Sequence, residues 1–256
     1  MRGRGRALLF GLNYSQHPEL KLNGCINDVK NMSAYLETTL AIPTEVYTDE
    51  AGTTDTTAMA MVKHLCELAL RSHSESLDFV WIHYSGHGSY IKDTGGDELD
   101  GNDECLVPSD FETVGLLPDD VLESVLRFMN PKTRVVCVFD CCHSGTIGDV
   151  KYCWESSTRV SVENITCGVA AKVITLSGCK DDQTSADAFG ITASEYQGAL
   201  TSCLLLVLKE ATAARTDVFL LLSAVRAKLK ERNFAQLPKL CSTHNLARDR
   251  AFLPPV

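Results

Sequence analysis

Four short apolar runs, ALLFGL (7–12), FVWIHY (79–84), VVCVF (135–139) and VITLS (173–177), constrain this chain more than any other feature. They are near-continuous rather than alternating, which is the pattern of strands buried on both faces, as in parallel sheets covered by helices on either side. The segments between them have a helical period. After Gly24, the residues Ile26, Val29, Met32, Leu36 and Leu40 recur at three- and four-residue spacing, so that they share one face of a helix. DDVLESVLRFM (119–129) opens with Asp119 and Asp120, where a helix dipole favours negative charge. Further helices are expected at about 197–212 and 217–232. Strands alternating with helices predict an α/β three-layer sandwich with a mainly parallel central sheet and right-handed crossovers. The tail LPKLCSTHN (237–245) is expected to add an edge strand, and two stretches, 92–118 and 146–170, read as surface loops.

With 256 residues the chain has room for one large domain, and a single domain is expected. The net charge of -9 argues against a nucleic-acid footprint, which would be basic. Acidic residues bunch instead at 93–104 and at 119–120. No window approaches the roughly 18 apolar residues of a membrane helix. The basic start MRGRGRALLFGLNY meets Asn13 and Tyr14 in place of a small-residue cleavage site, so it reads as a first strand and not a signal peptide. The eleven cysteines are odd in number, scattered through apolar segments, and include no C-x-x-C pair. That pattern fits reduced thiols in a cytoplasmic protein better than a disulfide framework or a structural zinc site.

In an open parallel sheet, reactive groups collect beyond the carboxyl ends of the strands. Two runs end in such groups: FVWIHY leads into Ser85-Gly86-His87-Gly88, and VVCVF into Asp140-Cys141-Cys142-His143-Ser144-Gly145. A thiol and an imidazole on neighbouring strand ends can form a nucleophile and its base. Gly88, like Gly86, would let a substrate backbone approach His87 closely, and Gly145 suits an inward-turned amide as oxyanion donor. Taken singly, each element has a plainer reading, a hydrogen-bonded histidine or an inert buried thiol; their conjunction points to chemistry.

HYSGHG (83–88) followed by FDCCHSG (139–145) resembles the paired His and Cys signatures of metacaspases, the caspase-like cysteine peptidases of clan CD, family C14. LNGCINDV (22–29), DELDGNDECLVPSDF (97–111) and ITLSGCKDDQTSADA (174–188) resemble further family blocks in the family's order. The resemblance implies a caspase-like fold, with His87 as general base, Gly88 beside it, and Cys142 as nucleophile; Cys141 then packs inward. It implies cleavage after Arg or Lys, with Asp28 and Asp140 supplying the pocket charge and Cys25, Ser85, Ser177 and Asp182 lining the same cleft. Carboxylates suit bidentate recognition of a guanidinium; without the resemblance, Asp28 reads as a solvated helix-face carboxylate. The resemblance also implies Ca²⁺ as cofactor, held by Asp103, Asp119, Asp120 and Asp149; oxygen donors suit a hard cation, although DTGGDELDGNDE (93–104) lacks EF-hand spacing and reads alone as a solvated loop.

The resemblance further implies a p20-like catalytic segment (1–150), a linker loop (151–170) and a p10-like segment (171–256). A short linker resembles type I members, and no Pro-rich prodomain is expected. Self-processing is expected in the 151–172 region, which carries Lys151, Arg159 and Lys172. The expected partners are protein or peptide substrates with Arg or Lys at the cut, with no nucleic acid and no membrane, and a monomer is expected. A catalytically silent caspase-like scaffold is the alternative, and a cysteine hydrolase on a generic α/β sheet a third reading; hydrolysis of a basic peptide separates them.

Overall fold

A computed structural model describes residues 4–50, 53–92, 102–141, 147–178, 187–189, 196–210 and 217–254. Five strands form the parallel part of the main sheet: β1 (Gly5–Gly11), β2 (Thr44–Thr48), β3 (Phe79–Ser85), β7 (Arg134–Asp140) and β10 (Lys172–Ser177). Beyond β10 the sheet continues antiparallel through β13 (Lys239–Ser242), β8 (Tyr152–Ser156) and β9 (Arg159–Val162), in the order β2-β1-β3-β7-β10-β13-β8-β9, while β11 (Asp187–Phe189) and β12 (Tyr196–Gly198) form a separate antiparallel pair.

The apolar runs are continuous because alternate residues enter two separate cores. Ala7, Leu9, Phe79, Trp81, Val136, Val138, Ile174 and Leu176 face a layer built from α1 (Cys25–Leu40), α5 (Ala199–Glu210) and α6 (Val218–Glu231). Leu8, Phe10, Val80, Ile82, Val135, Cys137 and Phe139 face the opposite layer, with α2 (Ala58–Ser74) and α4 (Asp119–Arg127). Each fully buried Leu, Val or Phe contributes about 1.5–3 kcal/mol of transfer free energy, so both faces of every central strand hold the sandwich together. Among the described residues, no helix is long and apolar enough to cross a membrane.

The structure departs from the sequence reading in three places. The 92–118 stretch follows from β4 (Gly88–Lys92) and contains β5 (Asn102–Leu106), the short α3 (Phe111–Val114) and β6 (Leu117–Pro118); the three strands form a separate antiparallel sheet. The 151–170 stretch is not a loop throughout, since β8 and β9 form a hairpin. All four residues of β9 are exposed, so an edge strand of this kind carries no buried stripe for a pattern to reveal. Because that hairpin takes the edge, the C-terminal strand β13 is interior, between β10 and β8.

The register levels the carboxyl ends of the parallel strands. Gly11 pairs with Ser85, Ser85 with Asp140, and Phe139 with Ser177. Since Ser85 and Asp140 follow the parity of Trp81 and Val138, they point to the α1/α5 side.

Candidate active site

His87 sits in the turn between β3 and β4, and its main chain is gripped by two tyrosines. Its N–H donates to Tyr14 Oη at 3.0 Å, and its carbonyl accepts from Tyr84 Oη at 2.7 Å. Tyr14 also donates to the Val107 carbonyl at 2.7 Å. Burial holds both phenols well above the ordinary tyrosine range, so they remain protonated donors. Their closeness explains Gly86: a Cβ there would lie 2.7 Å from Tyr84 Oη. The imidazole stands against the Tyr14 ring with centroids 4.8 Å apart, and Nε2 is 2.6 Å from the Leu20 carbonyl oxygen. A carbonyl can only accept, which assigns the proton of a neutral His87 to Nε2 and leaves the Nδ1 lone pair able to accept one.

The loop carrying Leu20 is anchored at both ends. Tyr14 adopts the left-handed φ of 51°, and its N–H, like that of Asn13, donates to the Asp49 carboxylate. Asn13 Oδ1 accepts from the N–H groups of Cys25 and Ile26. It thereby caps α1, whose own N-cap residue, Gly24, has no side chain to do so. The other histidine of HYSGHG is structural: His83 is fully buried beside Thr201, and desolvation lowers its pKa to about 3.

Asp28 is fully buried, which overturns the solvated-face reading. Its carboxylate accepts from Ser85 Oγ at 2.5 Å and from the Gly198 N–H at 2.8 and 3.0 Å. Asp140 accepts from the N–H of Thr201, in the first turn of α5, at 2.8 Å, an orientation the helix dipole favours. The two carboxylates converge on Gly198: a Cβ there would lie 2.3 Å from Asp140 Oδ2 and 2.7 Å from Asp28 Oδ2. Ser177 is buried at the end of β10, next to Gly178, whose own Cβ would lie 3.3 Å from Asp140 Oδ1. Cys25 is buried at the start of α1, one turn before Asp28. Gly88 opens β4 directly after His87. Cys141 is fully buried in the α2/α4 layer with Phe139 and Cys137, as an inward-packed thiol should be. Cys142, His143, Gly145 and Asp182 lie outside the described residues.

Of the acidic residues assigned to a cation, Asp119 and Asp149 are drawn together. Asp119 begins α4 and is 2% exposed; its Oδ2 accepts from the Gly148 N–H at 3.0 Å, while Oδ1 is buried with no hydrogen bond among the described residues. Burial, with Asp149 and Glu104 nearby, holds the Asp119 carboxyl well above the usual carboxylate range. An orphaned oxygen amid like charges suits a hard divalent cation. Asp149 and Gly148 both have positive φ, 46° and 94°, which turns this corner inward. Asp103 is buried on β5 but follows the parity opposite to Glu104, and Asp120 is exposed. No three of these carboxylates have their oxygens all within 4.8 Å of one another; among the described residues, His17, Glu19 and Glu112 form such a group of three.

The family description "Metacaspase, peptidase C14 domain" matches residues 5–151. Metacaspase-1A of Neurospora crassa is 31% identical over 98% of this chain and 65% of its own length. Metacaspase-3 of Trypanosoma cruzi is 34% identical over 98% of this chain and 74% of its own. The chain belongs to the metacaspase family of cysteine endopeptidases. It spans just under two thirds of the Neurospora metacaspase and about three quarters of the trypanosomal one. Among solved structures, a protein of Geobacter sulfurreducens superposes with a TM-score of 0.68 at 23% identity, covering 99% of this chain and 100% of that one. Caspase-1 of Spodoptera frugiperda superposes with a TM-score of 0.57 at 16% identity, covering 94% and 87%. These likenesses establish the caspase-like fold.

Sequence reasoning missed Gly198, Thr201, Glu104 and the tyrosine pair. Gly198 carried a faint signal, a glycine where a helix start usually has Ser, Thr or Asp. Glu104 stood beside Asp103 in plain view. Tyr84 stood within HYSGHG itself, whereas Tyr14 lies 73 residues from His87 and nothing in its local sequence couples it there.

Proposed function

We propose that this metacaspase cleaves peptide bonds after Arg or Lys, requires calcium, and processes itself in the β8–β9 region. The observation carrying the specificity is the convergence of Asp28 and Asp140 on Gly198 at the carboxyl end of the sheet. Ser85 Oγ and the N–H groups of Gly198 and Thr201 hold these carboxylates in place, and a pair of carboxylates suits a long cationic side chain. In this reading Cys142 loses its proton to His87 Nδ1 and attacks the scissile carbonyl, forming an acyl-enzyme and expelling the amine, which takes the proton back from His87. Water, deprotonated by the same nitrogen, then releases the acid. The Leu20 carbonyl, held on Nε2–H, orients the ring and favours the imidazolium formed in each half-reaction.

Asp119, with Asp149 and Glu104, would hold calcium, and Asp103 and Asp120 stand on adjoining positions. The ion would supply the positive charge that lets these carboxylates ionise side by side. Among the three basic residues of the 151–172 region, Lys151 is half-buried, Lys172 is exposed but opens the interior strand β10 and pairs with Asp249 at 2.8 Å, and Arg159 opens the fully exposed strand β9, where it pairs with Glu155 at 3.2 Å. Arg159 is therefore the favoured self-cleavage position.

The test is hydrolysis of a fluorogenic peptide ending in Arg against an Asp-ending control, with calcium or chelator, on wild type and Cys142→Ala. Calcium-dependent release after Arg, absent from the variant, is expected. Equal cleavage after Asp would overturn the pocket assignment; undiminished activity in chelator would overturn the metal requirement.

A further inference from the structure

Two cysteines outside the peptidase site face each other across the antiparallel part of the sheet. In the β8/β13 ladder, Cys153 pairs with Cys241, between the pairs Trp154–Leu240 and Tyr152–Ser242. Directly opposed residues of an antiparallel pair point to the same face with Cα atoms about 4.5–5.5 Å apart. That lies inside the roughly 4.4–6.8 Å window a disulfide accepts. Both side chains belong to the same core layer. Their sulfurs interact: the hydrogen bond to Cys153, reinforced by burial, holds the Cys241 thiol well above its ordinary value. None of the other cysteines on the described strands has a cysteine opposite: Cys137 pairs with Ile82 and Thr175, and Cys105 with Ser89 and Pro118.

Access differs between the two thiols. Cys241 is 2% exposed, whereas Cys153, at 8%, lines a groove of about 630 Å³ bounded by Glu155, Glu163, Arg226, Leu237 and Lys239. A small oxidant can reach Cys153 through that groove while Cys241 stands behind it.

We propose that Cys153 and Cys241 are a redox-active dithiol that closes reversibly to a cross-strand disulfide on exposure to hydrogen peroxide. The Cys153 thiolate attacks one peroxide oxygen, the O–O bond breaks, and hydroxide leaves, giving a sulfenic acid. The Cys241 sulfur then attacks the Cys153 sulfur; the S–S bond forms as the S–O bond breaks, and the Cys241 proton departs with the hydroxyl as water. In sum, two thiols are oxidised by two electrons and one peroxide is reduced to two waters. A small thiol reductant reverses the bond. The bridge would tie the β8–β9 hairpin to the interior of the sheet, and any single cut between residues 155 and 240 would leave two pieces covalently joined.

The experiment is peroxide treatment of the full chain, as wild type and as Cys142→Ala, so that oxidation of the nucleophile does not obscure the result. Alkylation of remaining thiols under denaturing conditions, digestion and non-reducing mass spectrometry follow. A peptide pair joined through Cys153 and Cys241, two hydrogens lighter than the separate thiol peptides and lost on adding dithiothreitol, is expected. Oxidised protein should also melt a few degrees higher than reduced protein, a difference that vanishes in either Cys153→Ser or Cys241→Ala. The proposal is overturned if both cysteines are recovered alkylated, if Cys153 is bridged instead to Cys167, or if Cys153 proceeds to sulfinic acid with Cys241 still a thiol. These readings come from wild type, so they stand even if one variant fails to fold.

Discussion

At the residue scale, the carboxylates of the proposed pocket differ from surface acids in being buried and hydrogen-bonded at once. Asp28 is fully buried, with Ser85 and Gly198 donating to it. Asp28→Asn preserves its shape and removes its charge, so a bound guanidinium would lose a desolvated partner. Such losses cost about 2–5 kcal/mol; kcat/KM on an Arg-ending peptide should fall about 30-fold or more, with far-ultraviolet circular dichroism unchanged. A smaller effect would mean that Asp140 carries the recognition alone. The tyrosine pair acts on His87 through its backbone. Tyr14→Phe leaves the His87 N–H without its acceptor, and an unsatisfied buried donor costs about 1–3 kcal/mol. Denaturant unfolding should register that loss, and kcat should fall more than KM rises, because the ring's position and not the pocket is disturbed.

At the element scale, the close approach of the α5 start to the strand ends depends on Gly198. A methyl group there would lie 2.3 Å from Asp140 Oδ2, so either the carboxylate or the helix must move. Gly198→Ala should abolish activity toward Arg-ending peptides and lower the melting temperature; an active variant would show that α5 can shift without cost. The β8–β9 hairpin belongs to the same scale. Arg159 is exposed and paired with the exposed Glu155, a surface pairing worth little. If self-processing occurs, Arg159→Gln should remove the principal cut, as read by N-terminal sequencing of the fragments.

At the scale of the whole molecule, the raised pKa of Asp119 couples stability to pH and, under the proposed calcium requirement, to calcium. The folded state raises the Asp119 pKa above its ordinary 3.8, so the folded chain keeps a proton that the unfolded chain has lost. The stabilisation from this group is therefore full below about 3.8 and declines as pH rises through the raised folded value. Calcium-free protein should lose stability on going from acid to neutral pH, and calcium should restore it by binding the ionised native form. Asp119→Asn, with no charge to confine, should melt higher than wild type in chelator at neutral pH and no longer respond to calcium. Calorimetry across pH, with and without calcium, checks both signs.

The alternation of strand and helix, the two reactive strand ends and the family resemblance were all legible in the chain itself, because they depend on local periodicity and contiguous motifs. Leu9 against Leu8, or Trp81 against Val80, already implied two buried faces. The sequence also determined that a thiol, an imidazole and several carboxylates would gather beyond the sheet, since parallel topology leaves those ends level. What only the tertiary structure decided is which of these groups meet. The burial of Asp28, the grip of Tyr14 on His87, the interior place of β13 and the opposition of Cys153 to Cys241 join residues between 57 and 170 positions apart. Such contacts leave no periodic trace, because they follow from how the layers close on one another and not from the order of residues along any one element.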